Sequence, residues 1–247
     1  MVIPIEEALQ RGVAAHKEGR LDDAERLYQD ILKSNPKQPA ANHNLAVLTV
    51  SKNNVKGALP LFKIAIEVSP TVEQFWFSYI DALIRDQNFH LARETLEQAE
   101  NFSADRNKLL FCWKVLGAFL KQSGSNEEAL LVMQKAAEKG PNDPEVHYNL
   151  GNTYQDVERY DEAEICFLQA GKLKPDFYEA HYNRGNALQE LSRYDDAASS
   201  YSKAVAIQPD YAEAHNNLAN MLKEVGRLED AEASYARAIK LSPDSAE

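Results

Sequence analysis

The chain is poor in cysteine, in glycine-rich motifs, in long apolar runs and in positive charge, and each shortage removes a class of function. Two cysteines, Cys112 and Cys166, are too few for a disulfide scaffold, which points to a reduced, cytoplasmic setting. No apolar run approaches the ~18–20 residues that cross a bilayer, and the opening MVIPIEEALQ has neither the basic start nor the apolar stretch of a signal peptide, so no membrane partner is expected. Without a secretion signal, the acceptor-like NFS at Asn101 carries no weight. Lysine and arginine number 27 against 38 aspartates and glutamates, a net charge of -11. The imbalance sits mainly in residues 110–247, with 14 basic and 23 acidic side chains, against 13 and 15 in residues 1–109. Such a surface repels phosphate backbones, which excludes nucleic acid as a partner. A glycine-rich phosphate loop, a His-Glu-x-x-His pair and paired-cysteine metal spacing are all missing, so no catalytic residue, metal or cofactor is expected.

What the chain has is repetition. HYNLGN begins at His147, HYNRGN at His181 and HNNLAN at His215, each 34 residues apart. Pro141, Pro175, Pro209 and Pro243 keep the same interval, as do Pro36 and Pro70. A repeat of this length takes precedence over any other reading. It gives seven units, 5–38, 39–72, 73–106, 110–143, 144–177, 178–211 and 212–245, with 107–109 as an insertion. Position 20 of every unit is alanine: Ala24, Ala58, Ala92, Ala129, Ala163, Ala197 and Ala231. Position 8 is small in six of the seven (Gly12, Ala46, Gly117, Gly151, Gly185, Ala219), and position 24 is large (Tyr28, Phe62, Leu96, Met133, Phe167, Tyr201, Tyr235). Small residues let two helices approach, and the large one fills the space beside them. Each unit therefore reads as two helices: Pro144 opens the first of unit five, Asp161 is placed to cap the second, and Pro175 stops it. Gly19, Gly124 and Gly226 fall in the turn between helices, where a positive φ is needed.

These columns resemble the tetratricopeptide repeat over about residues 5–245. Unit five carries the pattern in Leu150, Gly151, Tyr154, Ala163, Phe167, Ala170 and Pro175. The resemblance implies an all-α, right-handed superhelical solenoid of seven helix-turn-helix repeats. Unit three departs most, with Ile80 at the small position and Ala104 in place of the proline, so irregular stacking is expected near residues 100–110.

In this family positions 2, 5, 6, 9, 12 and 13 of the first helix line a concave groove. Position 6 holds Asn44, Asn149, Asn183 and Asn217, and position 9 holds Asn152, Asn186 and Asn220. The two positions are i and i+3, adjacent on one helix face. An asparagine amide offers two donors and an acceptor, so a row of them can hold an extended chain by its backbone. The ladder resembles that of O-linked N-acetylglucosamine transferases, where the superhelix feeds peptides to a catalytic domain. The competing reading is that position 6 bonds a neighbouring helix. Glu145, Glu179 and Glu213 at position 2, with Asp156, Glu190 and Glu224 at position 13, favour a neutral or basic ligand over an acidic one if they line the groove. The carboxylate clamp of chaperone-binding members needs basic residues where this chain has Tyr148, Glu213 and Asn217, so it is rejected. His147, His181 and His215, on successive helices about 8–10 Å apart, cannot converge on one zinc and read as packing residues, like Trp76 and Trp113 at the same position. The apolar Leu9, Val13, Val47, Phe77 and Phe111 occupy groove columns in the N-terminal half, as packing or as a contact surface.

The sequence thus points to a non-catalytic, peptide- or protein-binding array, the recruiting arm of a larger protein that the resemblance implies is of glycosyltransferase type. The alternative is a scaffold assembling end to end as a homo-oligomer. The final PDSAE, Pro243 to Glu247, reads as the start of an eighth unit, so a truncated array, or an end covered by a partner, is expected.

Overall fold

A computed structural model describes residues 4–242 of the protein. The proposed opening of an eighth unit at Pro243 lies outside them. Among the described residues the structure is all-helical, with fourteen α-helices and no strand. The chain divides into two compact units, residues 1–119 and 120–247. In the first, α1 (Ile5–Lys17), α2 (Leu21–Ser34), α3 (Pro39–Ser51), α4 (Val55–Val68), α5 (Glu73–Arg85) and α6 (Phe89–Ala99) pack as consecutive hairpins. The division falls inside α7 (Arg106–Gln122). The second unit contains α8 (Asn126–Lys139), α9 (Pro144–Asp156), α10 (Tyr160–Leu173), α11 (Tyr178–Glu190), α12 (Tyr194–Ile207), α13 (Ala212–Glu224) and α14 (Leu228–Leu241), where α9/α10, α11/α12 and α13/α14 pair as hairpins.

One residue in each hairpin turn sets its geometry. Gly19, Gly124 and Gly226 have φ of 76°, 79° and 78°, as the sequence requires. At the same position of the other repeats Asn53, Gln87, Glu158 and Ser192 take φ of 61°, 59°, 59° and 58°. The turn imposes the left-handed conformation whatever the residue, and side chains with a Cβ pay for it in strain.

In three of the hairpins a glycine at position 8 meets the aromatic ring at position 24. A Cβ built on Gly12 would lie 2.5 Å from the Tyr28 ring, one on Gly151 2.6 Å from Phe167, and one on Gly185 2.5 Å from Tyr201. The rings of Tyr28, Phe62, Phe167 and Tyr201 are almost wholly buried. The alanines at position 20 are buried throughout, so outside the third repeat, where Ile80 takes the small position, the hairpin core is a small–large–small contact.

Asp161 does not cap α10. The helix starts one residue earlier, at Tyr160, its N-cap is Arg159 with no side-chain cap bond, and Asp161 sits in the first turn. There it still favours the positive end of the helix dipole. Around residues 100–110 the pattern changes. Helix α6 has 11 residues, and α7 begins at Arg106 and runs for 17, so the inserted residues are taken up as added length at the start of α7. Leu109, Trp113, Leu116 and Leu120 form its buried stripe. No helix among the described residues is long and apolar enough to cross a membrane.

Candidate ligand-binding face

The histidines of the repeated phrase face the joint between consecutive repeats. His147 Nε2 lies 2.9 Å from the Pro141 carbonyl, His181 Nε2 3.1 Å from that of Pro175, and His215 Nε2 3.0 Å from that of Pro209. A carbonyl only accepts, so each Nε2 carries the proton. Asn42 and Trp76 occupy the same position and donate to Pro36 and Pro70 across the same six residues. Trp113 follows the repeat that lacks the proline, and its indole donates instead to Glu100, at 3.0 Å. Position 4 therefore ties each turn to the helix after it. Burial lowers the pKa of His181, keeping it neutral. Among the described residues no group of histidine, cysteine and carboxylate side chains could hold a metal.

The asparagines of the second unit lie on α9, α11 and α13, joined across the helices by side-chain hydrogen bonds. Asn183 Nδ2 donates to Asn152 Oδ1 at 2.8 Å and to the Tyr148 hydroxyl at 3.2 Å. Asn217 Nδ2 donates to the Tyr182 hydroxyl at 3.1 Å. The Tyr201 hydroxyl donates to Asn186 Oδ1 at 2.6 Å, and Tyr235 to Asn220 Oδ1 at 2.5 Å. A longer bond, 3.4 Å, runs from Asn186 Nδ2 to Asn183 Oδ1. Asn149 is half-buried and its side chain makes no hydrogen bond among the described residues. Asn152, Asn183, Asn186 and Asn217 are half-buried and Asn220 is exposed.

A single difference at position 24 explains how the network changes from repeat to repeat. Phe167 has no hydroxyl, so Asn152 Oδ1 is open to Asn183. Tyr201 occupies the equivalent oxygen on Asn186, so Asn217 keeps only the bond to Tyr182, the counterpart of Asn183 to Tyr148. The neighbour-bonding reading of position 6 thus holds for Asn183 and Asn217, but it uses only part of their valences. The sequence marks Tyr201 and Tyr235 as packing residues, and the part that Tyr148 and Tyr182 play toward the amides is not read from it. Their signal was the second letter of HYN, where Tyr148 and Tyr182 precede an asparagine.

Asn44 stands apart in the first unit, half-buried, its Oδ1 3.2 Å from His43 Nδ1. His43 is buried against Phe75, with ring centroids 4.7 Å apart, and burial lowers its pKa. Of the apolar groove candidates in that unit, Leu9, Val13 and Val47 are half-buried and Phe77 is buried beneath the Lys108 ammonium, 4.3 Å from the ring. Phe111 alone is exposed.

Among the acidic residues, Glu145 and Glu213 are exposed and Glu179 half-buried. Glu179 beside Tyr178 raises that phenol's pKa, and Glu213 acts on Tyr182 in the same sense. The Tyr182 pKa is raised, first by burial and then by that carboxylate. Asp156 pairs with Lys121 at 2.9 Å, while Glu190 and Glu224 remain exposed.

A family model described as tetratricopeptide repeat matches residues 9–70, 148–212 and 182–246, and one described as TPR repeat matches 117–157. No curated protein matches. Among solved structures, the C-terminal part of a TPR repeat-containing protein from Cytophaga hutchinsonii is 18% identical, with a TM-score of 0.66 over 96% of this chain and 96% of that one. YrrB is 23% identical, with a TM-score of 0.53 over 76% of this chain and 95% of its own. MamA AMB-1 is 22% identical, with a TM-score of 0.56 over 70% and 92%.

Proposed function

The chain belongs to the tetratricopeptide repeat family, and from that premise we propose that it holds an extended, neutral or basic polypeptide by its main chain along the face of α9, α11 and α13. Repeats of this family are generally non-catalytic interaction modules. The observation that carries the reading is the row of amides with valences left over: Asn149, Asn152, Asn217 and Asn220 each retain a donor or acceptor pointed at no protein group. Water meets these leftover valences in the free protein, and a peptide backbone supplies both a donor and an acceptor in its place. Glu145, Glu179 and Glu213 beside the row bias it against acidic ligands. YrrB, which shares the fold, is described as a TPR protein with an unusual peptide-binding site. A cytoplasmic setting, and a place as the recruiting region of a larger, glycosyltransferase-type protein, complete the proposal; the gene beyond Glu247 is the check on the latter.

The test is retention of synthetic peptides from a random, net-positive pool. About ten residues suffice, since at about 3.3 Å each they cross three helices about 8–10 Å apart. The protein retains a subset, and the Asn149→Ala/Asn183→Ala/Asn217→Ala variant does not. Equal retention by the two, or none by the parent, overturns the proposal.

A second reading, self-assembly, has one observation in its favour. Tyr235, Ala238 and Ile239 on α14 border a cleft of about 480 Å³ with Ala212, Glu213 and Asn216. Helix α1, however, carries the exposed Glu7–Arg11 ion pair at 2.6 Å, a poor partner for the Tyr235, Ala238 and Ile239 side of that cleft in head-to-tail stacking. A concentration-independent sedimentation coefficient would remove this reading.

A further inference from the structure

The amide rows are polarised in opposite senses. At position 9 the oxygens are used: Asn152 Oδ1 accepts from Asn183, Asn186 Oδ1 from Tyr201 and Asn220 Oδ1 from Tyr235. Their nitrogens are left over, since Asn152 and Asn220 donate nothing among the described residues and Asn186 only the 3.4 Å bond. At position 6 the nitrogens are used. Asn183 Nδ2 donates to Tyr148 and Asn152, and Asn217 Nδ2 donates to Tyr182. In the last bond the amide nitrogen is the atom 3.1 Å from the Tyr182 hydroxyl, whose oxygen has lone pairs to accept it. The hydroxyl oxygen is then an acceptor, and the Asn217 carbonyl is turned away from it. Asn217 Oδ1 accepts nothing among the described residues, and Asn183 Oδ1 receives only the long bond from Asn186.

We propose that Asn152, Asn186 and Asn220 form a row of N–H donors and Asn183 and Asn217 a parallel row of C=O acceptors, so that a bound chain must lie between them with peptide carbonyls toward the first row and peptide N–H groups toward the second. This rests on the peptide-binding reading above and deepens it from "amides grip a backbone" to a defined parity of recognition. In an extended chain the two groups of one peptide unit point to opposite edges, and successive units alternate. Only every second unit presents its carbonyl to the donors and its N–H to the acceptors. The ligand class is therefore an extended polypeptide whose backbone N–H groups are free at alternate residues.

Two measurements on the full chain test this separately from the underlying reading. The first needs no peptide. N,N-Dimethylacetamide, which only accepts, is titrated in while side-chain amide NMR signals are followed. The Asn152 and Asn220 NH2 signals shift and the Asn183 NH2 signal does not. Pyrrole, which only donates, instead shifts the Asn217 side-chain carbonyl carbon. In Tyr201→Phe, a substitution with a native counterpart in Phe167, the freed Asn186 oxygen accepts from Asn217, and the Asn217 NH2 signal moves. Equal response of Asn152 and Asn183 to the acceptor probe, or response of neither, overturns the polarised rows. The second measurement is an N-methyl scan of a peptide retained from the pool. Methylation at alternate residues weakens binding about tenfold, for one or two lost hydrogen bonds, and methylation at the intervening residues leaves it unchanged. A flat scan on a bound peptide overturns the parity. A pool that yields no bound peptide overturns the reading beneath it, leaving the NMR result to decide the polarity of the rows.

Discussion

At the residue scale the left-handed turn positions give the simplest forecast. Glu158 and Ser192 adopt the φ that Gly19, Gly124 and Gly226 adopt without a Cβ. Replacing either by glycine relieves strain and costs some chain entropy, so Glu158→Gly and Ser192→Gly are each expected to stabilise by about 0.5–1 kcal/mol. Chemical denaturation checks this, and loss of stability in both variants would mean the turn is not strained. His181 behaves oppositely. Its bond to the Pro175 carbonyl is lost in His181→Ala, at a cost of about 1–3 kcal/mol, while His181→Trp imitates Trp76 and retains a donor. Burial lowers the pKa of both His181 and His43 below the ordinary 6.5. A depressed folded pKa contributes stability that is complete above 6.5 and is lost as pH falls through the folded value. The melting temperature is therefore expected to drop on acidification below that point, and less so in His181→Trp. The histidines were legible as packing residues because stacked helices cannot bring three rings to one metal. Their partner carbonyl was not, since the six-residue reach back to the proline depends on the path of the turn.

At the element scale the joint between α10 and α11 carries a buried ion pair. Arg184 Nε donates to Glu164 Oε1 at 2.7 Å, with side chains only 17% and 10% exposed. Position 7 is leucine at Leu45, Leu116, Leu150 and Leu218, and in the second unit Arg184 alone replaces it. Arg184→Ala strands a carboxylate among packed helices and is expected to cost about 3–5 kcal/mol. Replacing both partners, Arg184→Leu with Glu164→Leu, is expected to be neutral or stabilising, because an apolar pair needs no desolvation. Thermal unfolding of the single and double variants decides it; if the double variant is as unstable as the single, the pair supports the joint through more than mutual neutralisation. Hairpin pairing was readable from alanine and aromatic columns, because helix contact depends on side-chain volume at fixed spacing. The extra length of α7 was visible only as a break in register near residues 107–109. The sequence showed that three residues were surplus, and only the structure shows that they extend a helix and that Trp113 takes Glu100 in place of a proline carbonyl.

At the scale of the whole molecule, two compact units are built from one repeating hairpin, and the amide network extends over the second of them. The asparagine columns could be read directly, since identical spacing places identical side chains on successive helices. The division of their valences could not, because it turns on whether position 24 is Phe167 or Tyr201, one hydroxyl apart. If the protein grips main chain and not side chains, removing three amides must weaken unrelated peptides alike. The decisive measurement is the Kd of two retained peptides with no sequence in common, each for the parent and for Asn149→Ala/Asn183→Ala/Asn217→Ala, with circular dichroism to verify that the helices persist. At about 0.5–1.5 kcal/mol per hydrogen bond, both affinities are expected to fall tenfold or more and by the same factor. Undiminished binding of either peptide, or a loss confined to one of them, would contradict recognition through the backbone.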